Sequence, residues 1–260
     1  MSDPVLSSTS DGVTTVTINR PDALNALDVP TKVGLREALS RAGGDPDCRA
    51  VLLAGAGERA FCVGQDLREH VRNLQTEAPL KTVREHYNPL ARVLFDLDKP
   101  VVAAVRGVAA GAGASLAFLA DFRVGGPSTS FSMAFAGIGL AADTGASYLL
   151  PRLVGRARAA ELLMLNRTVR AAEASELGLL TELVETDEEV AKRAAELAAR
   201  LASGPTVAYG QIKRQLRVGG TFADALDCEA DAQAASGATA DHRAAVEAFV
   251  NKQKPSFEGR

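Results

Sequence analysis

Twice in this chain a short unbroken apolar run leads into a glycine-bearing loop and then into a helical pattern. That repeated order is what most narrows the folds open to it. Residues 50–54 (Ala-Val-Leu-Leu-Ala) and Val101–Val105 are short and continuously apolar, as strands buried on both faces are. Loops follow at 55–64 and 107–113, and residues 114–120 read as a helix beginning in the second loop. Strand, glycine loop and helix in repetition predict an α/β body.

The rest of the chain extends that pattern. Val13, Val16 and Ile18 lie in a Thr-rich strand that runs into the turn Asn19-Arg20-Pro21. Leu35, Ala38, Leu39 and Ala42 recur at helical spacing, and Gly43-Gly44 stops that helix. Val83, Tyr87, Leu90, Ala91 and Leu94 mark another. Helices are expected over 156–166 and 171–177, with Gly178 as the stop, and then a strand over 179–184. Thr186 with Glu189 matches a capping box, and Gly204-Pro205 ends the helix it opens. From there on only helical patterns occur. The expected division is an α/β core over 1–203 and a helical region over 204–260.

Net charge is −3 and the pI is about 5.7, which disfavours a nucleic-acid footprint. Aromatics make up 5% of residues and Trp is absent, so base-stacking platforms are not expected either. Residues 1–12 are polar and lack the basic and apolar regions of a signal peptide. The most apolar stretch, 101–120, is interrupted by Arg106, and its uncharged remainder is too short to cross a bilayer. A soluble cytoplasmic protein is expected, with no membrane partner. Cys48, Cys62 and Cys228 are scattered, form no CxxC pair and read as reduced thiols.

The two loops, Phe61-Cys62-Val63-Gly64-Gln65-Asp66 and 107–115, carry the candidate chemistry. Small residues let backbone N–H groups approach a ligand, and a helix N-terminus adds partial positive charge. Two such groups aimed at one point form an oxyanion hole. The order Gly-Ala-Gly-Ala-Ser in the second loop lacks the third glycine of a dinucleotide fingerprint, and no Lys-Ser/Thr follows as a P-loop needs. On spacing alone, close strand–helix packing explains the small residues equally well.

The combination of segments resembles the crotonase (enoyl-CoA hydratase/isomerase) superfamily over nearly the whole chain. The resemblance is carried by Asn19-Arg20-Pro21 with Leu24-Asn25-Ala26-Leu27, by 61–67, and by Lys99-Pro100 leading through the strand to Gly107. It continues in Ala120-Asp121-Phe122-Arg123, in Leu150-Pro151-Arg152-Leu153-Val154-Gly155, and in the ending from Ala248-Phe249 to Phe257-Glu258-Gly259-Arg260. It implies a crotonase-like spiral of ββα units with a C-terminal helical trimerisation region, assembled as a homotrimer or dimer of trimers. It implies an acyl-CoA thioester substrate, with coenzyme A as part of that substrate and no separate cofactor or metal. The thioester carbonyl is expected to accept the backbone N–H groups of Gln65 and Ala112. Ala112 stands where the family usually has glycine, so a positive φ there would cost roughly 1 kcal/mol or more. Lys252 matches a position that reaches coenzyme A from a neighbouring subunit, or else is a solvated charge.

Hydratases of this family use two glutamates flanking a water. Those positions fall at Ser115 and Phe135, in the substrate pocket, and neither side chain can act as a base. Asp143 falls where the isomerase branch carries its acid/base. The resemblance therefore implies enoyl-CoA double-bond isomerisation, with Asp143 moving a proton from C2 to C4. An enoyl-CoA hydratase and a catalytically silent acyl-CoA-binding protein are the alternatives. Asp143 could instead cap the helix that begins near Thr144. His70, His86 and His242 read as solvated surface residues, and Cys62 as a small packing residue.

Overall fold

The computed structural model describes residues 3–75 and 80–260. Residues 1, 2 and 76–79, which belong to the N-terminal stretch and to the segment between Leu67 and Val83, lie outside that description. Two sheets organise the chain. The larger is ordered β1 (Val5–Ser10), β2 (Val13–Ile18), β3 (Ala50–Gly55), β5 (Val101–Val105), β7 (Phe122–Gly125) and β10 (Glu182–Leu183). All its neighbours are parallel except β1 and β2, which form a hairpin. The smaller sheet is ordered β4 (Ala60–Cys62), β6 (Val108–Ala110), β8 (Ser130–Ser132) and β9 (Val169–Arg170).

Each turn of the chain contributes one strand to the first sheet, one to the second, and then a helix. β3 and β4 precede α2 (Leu67–Asn73); β5 and β6 precede α4 (Ala112–Leu119); β7 and β8 precede α5 (Ala146–Leu165). Within each sheet these strands are successive parallel neighbours, so the chain winds as a spiral of ββα units. α1 (Val29–Gly44) and α3 (Asn88–Asp96) join the turns, and α6 (Ala171–Glu176) leads to β10.

Alternation along β3 and β5 explains why both read as unbroken apolar runs. Ala50, Leu52, Val102 and Ala104 face α7 (Asp187–Ala202), against Val190, Ala194 and Ala198. Val51, Leu53, Val101, Ala103 and Val105 face the main core with Leu35, Leu39, Leu90 and Leu94. Side chains of period two therefore meet helices on both faces. The capping box of α7 is present in both directions between Thr186 and Glu189.

Two expectations are corrected. The loops at 55–64 and 107–113 contain β4 and β6, each three residues long. The strand expected over 179–184 pairs only at Glu182–Leu183, because Leu179 and Leu180 turn into the main core. The helix expected over 156–166 is present: Gly155, at φ +76° and ψ 159°, breaks α5 just before it, and a further helical segment from Ala146 precedes that break.

The last helices, α8 (Thr206–Arg217), α9 (Phe222–Gly237) and α10 (Ala240–Val250), are tied back to the body by charge. The Lys213 ammonium donates to Asp121 Oδ2 at 2.6 Å, and the same oxygen accepts the Val101 N–H at 2.7 Å. Arg49 holds Gly204 O at 2.6 Å and Phe257 O at 3.0 Å. Among the described residues no helix is long and apolar enough to cross a membrane.

Asn25 carries the turn that leads to the first glycine loop. It is fully buried at φ +57°. Its amide donates to Ala56 O at 2.9 Å and Ala60 O at 2.8 Å, and its Oδ1 accepts the Arg20 N–H at 3.0 Å. Asn25→Ala leaves these three backbone groups without that side chain. It is expected to lower unfolding free energy by about 3 kcal/mol, read as an earlier urea midpoint at unchanged m-value. A loss below about 1 kcal/mol, the worth of a single ordinary hydrogen bond, would contradict this.

Candidate active site

Gly64 ends the first loop at φ +81°, a conformation that side chains rarely adopt. Leu27 pairs across it: its N–H donates to Gly64 O at 2.7 Å and its carbonyl accepts the Asp66 N–H at 3.1 Å. The residue between, Gln65, keeps a backbone N–H with no acceptor among the described residues. Asp66 then caps α2, accepting the N–H groups of Arg68 at 3.0 Å and Glu69 at 3.1 Å.

The second loop reverses at Gly111, with φ +51° and ψ −125°, whose N–H donates to Ser132 O at 2.9 Å. Gly111 takes the strained conformation, so Ala112 is free to begin α4 with ordinary helical geometry and does not incur the positive-φ cost. As a first-turn helix residue it has no intrahelical acceptor, and its N–H has none elsewhere among the described residues. The loops meet here. A Cβ added at Gly64 would lie 2.8 Å from Ala110 O and 3.1 Å from Ala112 N. A Cβ at Gly113 would lie 2.1 Å from Cys62 O, so α4 starts hard against β4.

Gln65 and Ala112 both line a cavity of about 710 Å³, with Tyr87, Phe135 and Asp143 also on its wall. Two unengaged N–H groups on adjoining loops can hold an oxygen that gains negative charge. Asp143 is half-buried, and its Oδ1 accepts the Thr144 hydroxyl at 2.8 Å. Burial pushes its carboxyl above the ordinary range, against the Thr144 hydroxyl and the charge of Lys32. Asp66 on the same wall behaves oppositely. Burial opposes its ionisation, but the Glu69 N–H, the Arg20 guanidinium at 2.9 Å and the Arg68 N–H hold it below that range. Asp143 is no helix cap: Gly145 occupies the N-cap of α5, without a side-chain bond.

Other expected residues fall differently. Ser115 is fully buried in α4 and does not line the cavity. Its hydroxyl lies 3.2 Å from Gly111 O and 3.4 Å from Asp143 O, so it braces the Asp143 backbone. A small hydroxyl on the inner face of α4 cannot reach past these carbonyls. Lys252 is exposed just beyond α10 and does not line the cavity. His70 and His86 are half-buried; His70 lines the cavity, and His86 Nδ1 lies 3.2 Å from Thr82 Oγ1. His242 is exposed. Cys62 is buried, and its thiol is pushed up to about 12 by burial, with the Gly64 N–H acting the other way.

A polar knot behind Gln65 escaped the sequence reading. Lys32, Glu69, Thr82 and Tyr87 converge there, and Lys32 is fully buried. The signal was present: Lys32 lies three residues before Leu35, inside the apolar stripe of α1.

A family model described as Enoyl-CoA hydratase/isomerase matches residues 8–260. A 1,2-epoxyphenylacetyl-CoA isomerase from Escherichia coli (strain K12) is 42% identical, covering 98% of both chains. A crotonyl-CoA hydratase from Syntrophomonas wolfei is 33% identical, covering 92% of both. Among solved structures, a Mycobacterium abscessus protein provisionally described as an enoyl-CoA hydratase/isomerase superposes with a TM-score of 0.94. It is 46% identical, and the match covers 98% of this chain and 100% of that one.

Proposed function

Since the chain belongs to the enoyl-CoA hydratase/isomerase family of the crotonase superfamily, we propose that it shifts the double bond of a 3-enoyl-CoA to the 2-position. The observation that carries the proposal is one carboxylate with a raised pKa on the same cavity wall as two unengaged N–H groups.

The thioester carbonyl accepts the N–H groups of Gln65 and Ala112. Asp143 removes a proton from C2, and the negative charge that develops on the carbonyl oxygen is held by both donors. The dienolate is then protonated at C4 by the same carboxyl group, which leaves the double bond between C2 and C3. One carboxylate serves both transfers. Its raised pKa makes it, once ionised, a stronger base than an exposed aspartate.

Hydration requires a held water and carboxylates beside it. Phe135 is on the cavity wall where one would stand, and Ser115 is sealed behind Gly111 and Asp143. The name of the Escherichia coli relative supports isomerisation, whereas that of the Syntrophomonas wolfei relative is a hydratase. A spectrophotometric assay comparing 3-hexenoyl-CoA with crotonyl-CoA separates the readings. Conversion of the first with little hydration of the second supports the isomerase. The reverse supports a hydratase, and binding without turnover supports an acyl-CoA-binding protein.

The exposed tail supports an assembled working unit. Leu216, Phe222, Phe249 and Val250 are exposed on α8–α10 by 73–83%, more apolar surface than helix ends ordinarily leave to water. We expect a homotrimer or dimer of trimers, in which Lys252 of one subunit meets the coenzyme A of the next. Sedimentation is expected to give three or six times the 27.1 kDa chain mass. A monomer would contradict both the assembly and the role of Lys252.

A further inference from the structure

The wall behind Gln65 contains a charge pair that the proposed proton transfers do not use. Lys32 stands in the first turns of α1, fully buried. Its ammonium donates to Gln65 Oε1 at 3.1 Å, Glu69 Oε1 at 3.0 Å and Thr82 Oγ1 at 2.8 Å. These use all three of its donors. The ammonium also lies 4.7 Å from the centre of the Tyr87 ring. Glu69 accepts in turn from Gln65 Nε2 at 3.0 Å and from the Val29 N–H at 2.8 Å.

The consequence falls on Gln65. Its Oε1 accepts from Lys32 and from the Tyr87 hydroxyl at 2.9 Å. Its Nε2 donates to Glu69 and, at 3.2 Å, to Asp66 O. Every hydrogen-bonding position of the amide is therefore engaged. A flexible side chain at the edge of a ligand cavity is fixed from several directions, and the same residue supplies one of the unengaged backbone N–H groups.

Stability alone does not account for the arrangement. Burying an ammonium is costly, and replacing a buried ion pair by apolar side chains is commonly neutral or stabilising. Neither Lys32 nor Glu69 lines the cavity, so neither touches a bound acyl group.

We propose that Lys32, through its ion pair with Glu69, is a positioning residue that fixes Gln65 so that its backbone N–H stays directed at the thioester oxygen. The proposal rests on the reading of Gln65 as an oxyanion donor, and not on isomerisation as the reaction catalysed.

The test uses butyryl-CoA carrying ¹³C at the thioester carbonyl, which binds without having a double bond to move. Difference infrared spectroscopy reads the carbonyl band, and calorimetry reads binding. In the wild type the band moves to lower frequency on binding. In Lys32→Met most of that movement is lost while Kd changes little. On 3-hexenoyl-CoA, kcat falls by about 100-fold, as an ångström-scale misplacement produces, with KM nearly unchanged. Glu69→Gln, close to isosteric, moves the band in the same direction, and decides the matter if Lys32→Met does not fold. A folded Lys32→Met protein with the wild-type band and wild-type kcat overturns the proposal. A wild type whose bound ester shows no band movement overturns it together with the oxyanion reading. A wild type that moves the band but does not convert 3-hexenoyl-CoA removes only the isomerase reading, and the band alone then judges Lys32.

Discussion

Asp143→Asn is expected to lower kcat on 3-hexenoyl-CoA by about 100- to 10,000-fold, the range a positioned acid/base contributes. KM is expected to change little, because the thioester oxygen is held by backbone groups that the substitution leaves in place. Stability separates this from a folding defect. Burial raises the Asp143 carboxyl above its ordinary range, so the folded state binds a proton more tightly than the unfolded chain does. The stabilising contribution of that proton is present at low pH and is lost as pH rises past the unfolded value towards the raised folded one. Once ionised, the wild type therefore carries the cost of a buried charge, which asparagine removes. The variant should unfold at the same temperature or higher while losing its activity.

The pH profile follows from the same shift. Catalysis needs Asp143 ionised, so the wild-type rate falls on acidification through a value above that of an ordinary aspartate. Lys32 counts among the groups that favour the charged form, so the limb should move further up in Lys32→Met. An acid limb at or below the ordinary aspartate value would contradict the assignment of Asp143 as the base.

Gly64→Ala is expected to reduce kcat by about 100- to 1,000-fold, comparable to losing an oxyanion-hole donor. Two independent features compound at this position. The backbone holds φ +81°, and an added methyl would press on Ala110 O at 2.8 Å and Ala112 N at 3.1 Å. Both obstacles are backbone atoms of the second loop and cannot rotate aside, so the loops must part. Because Asp143 lies on a different segment, the acid limb of this variant should stay at the wild-type position. The carbonyl band of bound butyryl-CoA should lose its displacement. A Gly64→Ala protein with wild-type kcat would show that the two N–H groups do not act on one oxygen.

The parts of the fold that were legible in the sequence are those in which one physical requirement dominates. β3 and β5 are covered by helices on both sides, and only unbroken apolar runs satisfy that. α7 begins with a reciprocal cap that local chemistry sets. β4, β6 and β8 were not legible, since three residues show no period, and their pairing comes from the spiral bringing distant turns together. β1 hides for another reason. Its residues Val-Leu-Ser-Ser-Thr-Ser are largely exposed on a sheet edge, where a strand needs no apolar face.

The site divides the same way. Gly64, Gly111 and Gly113 marked the loops, but only the fold shows which of them takes positive φ and which is excluded by Cys62 O. Gln65, Ala112 and Asp143 came from the family resemblance, and their gathering around one cavity depends on three turns of the spiral. The Lys32 knot joins residues from 32 to 87, a separation at which composition and spacing carry no signal beyond a lysine inside an apolar stripe.

The most direct test of the central claim, that one carboxylate carries a proton from C2 to C4, is to follow the label in 3-hexenoyl-CoA deuterated at C2 by NMR. The account predicts 2-hexenoyl-CoA as product, with part of the deuterium transferred to C4, no accumulation of the 3-hydroxy ester, and conversion by Asp143→Asn slowed by about 100-fold or more. Appearance of the 3-hydroxyacyl ester with only solvent hydrogen at C4, or conversion at the wild-type rate in Asp143→Asn, would contradict it.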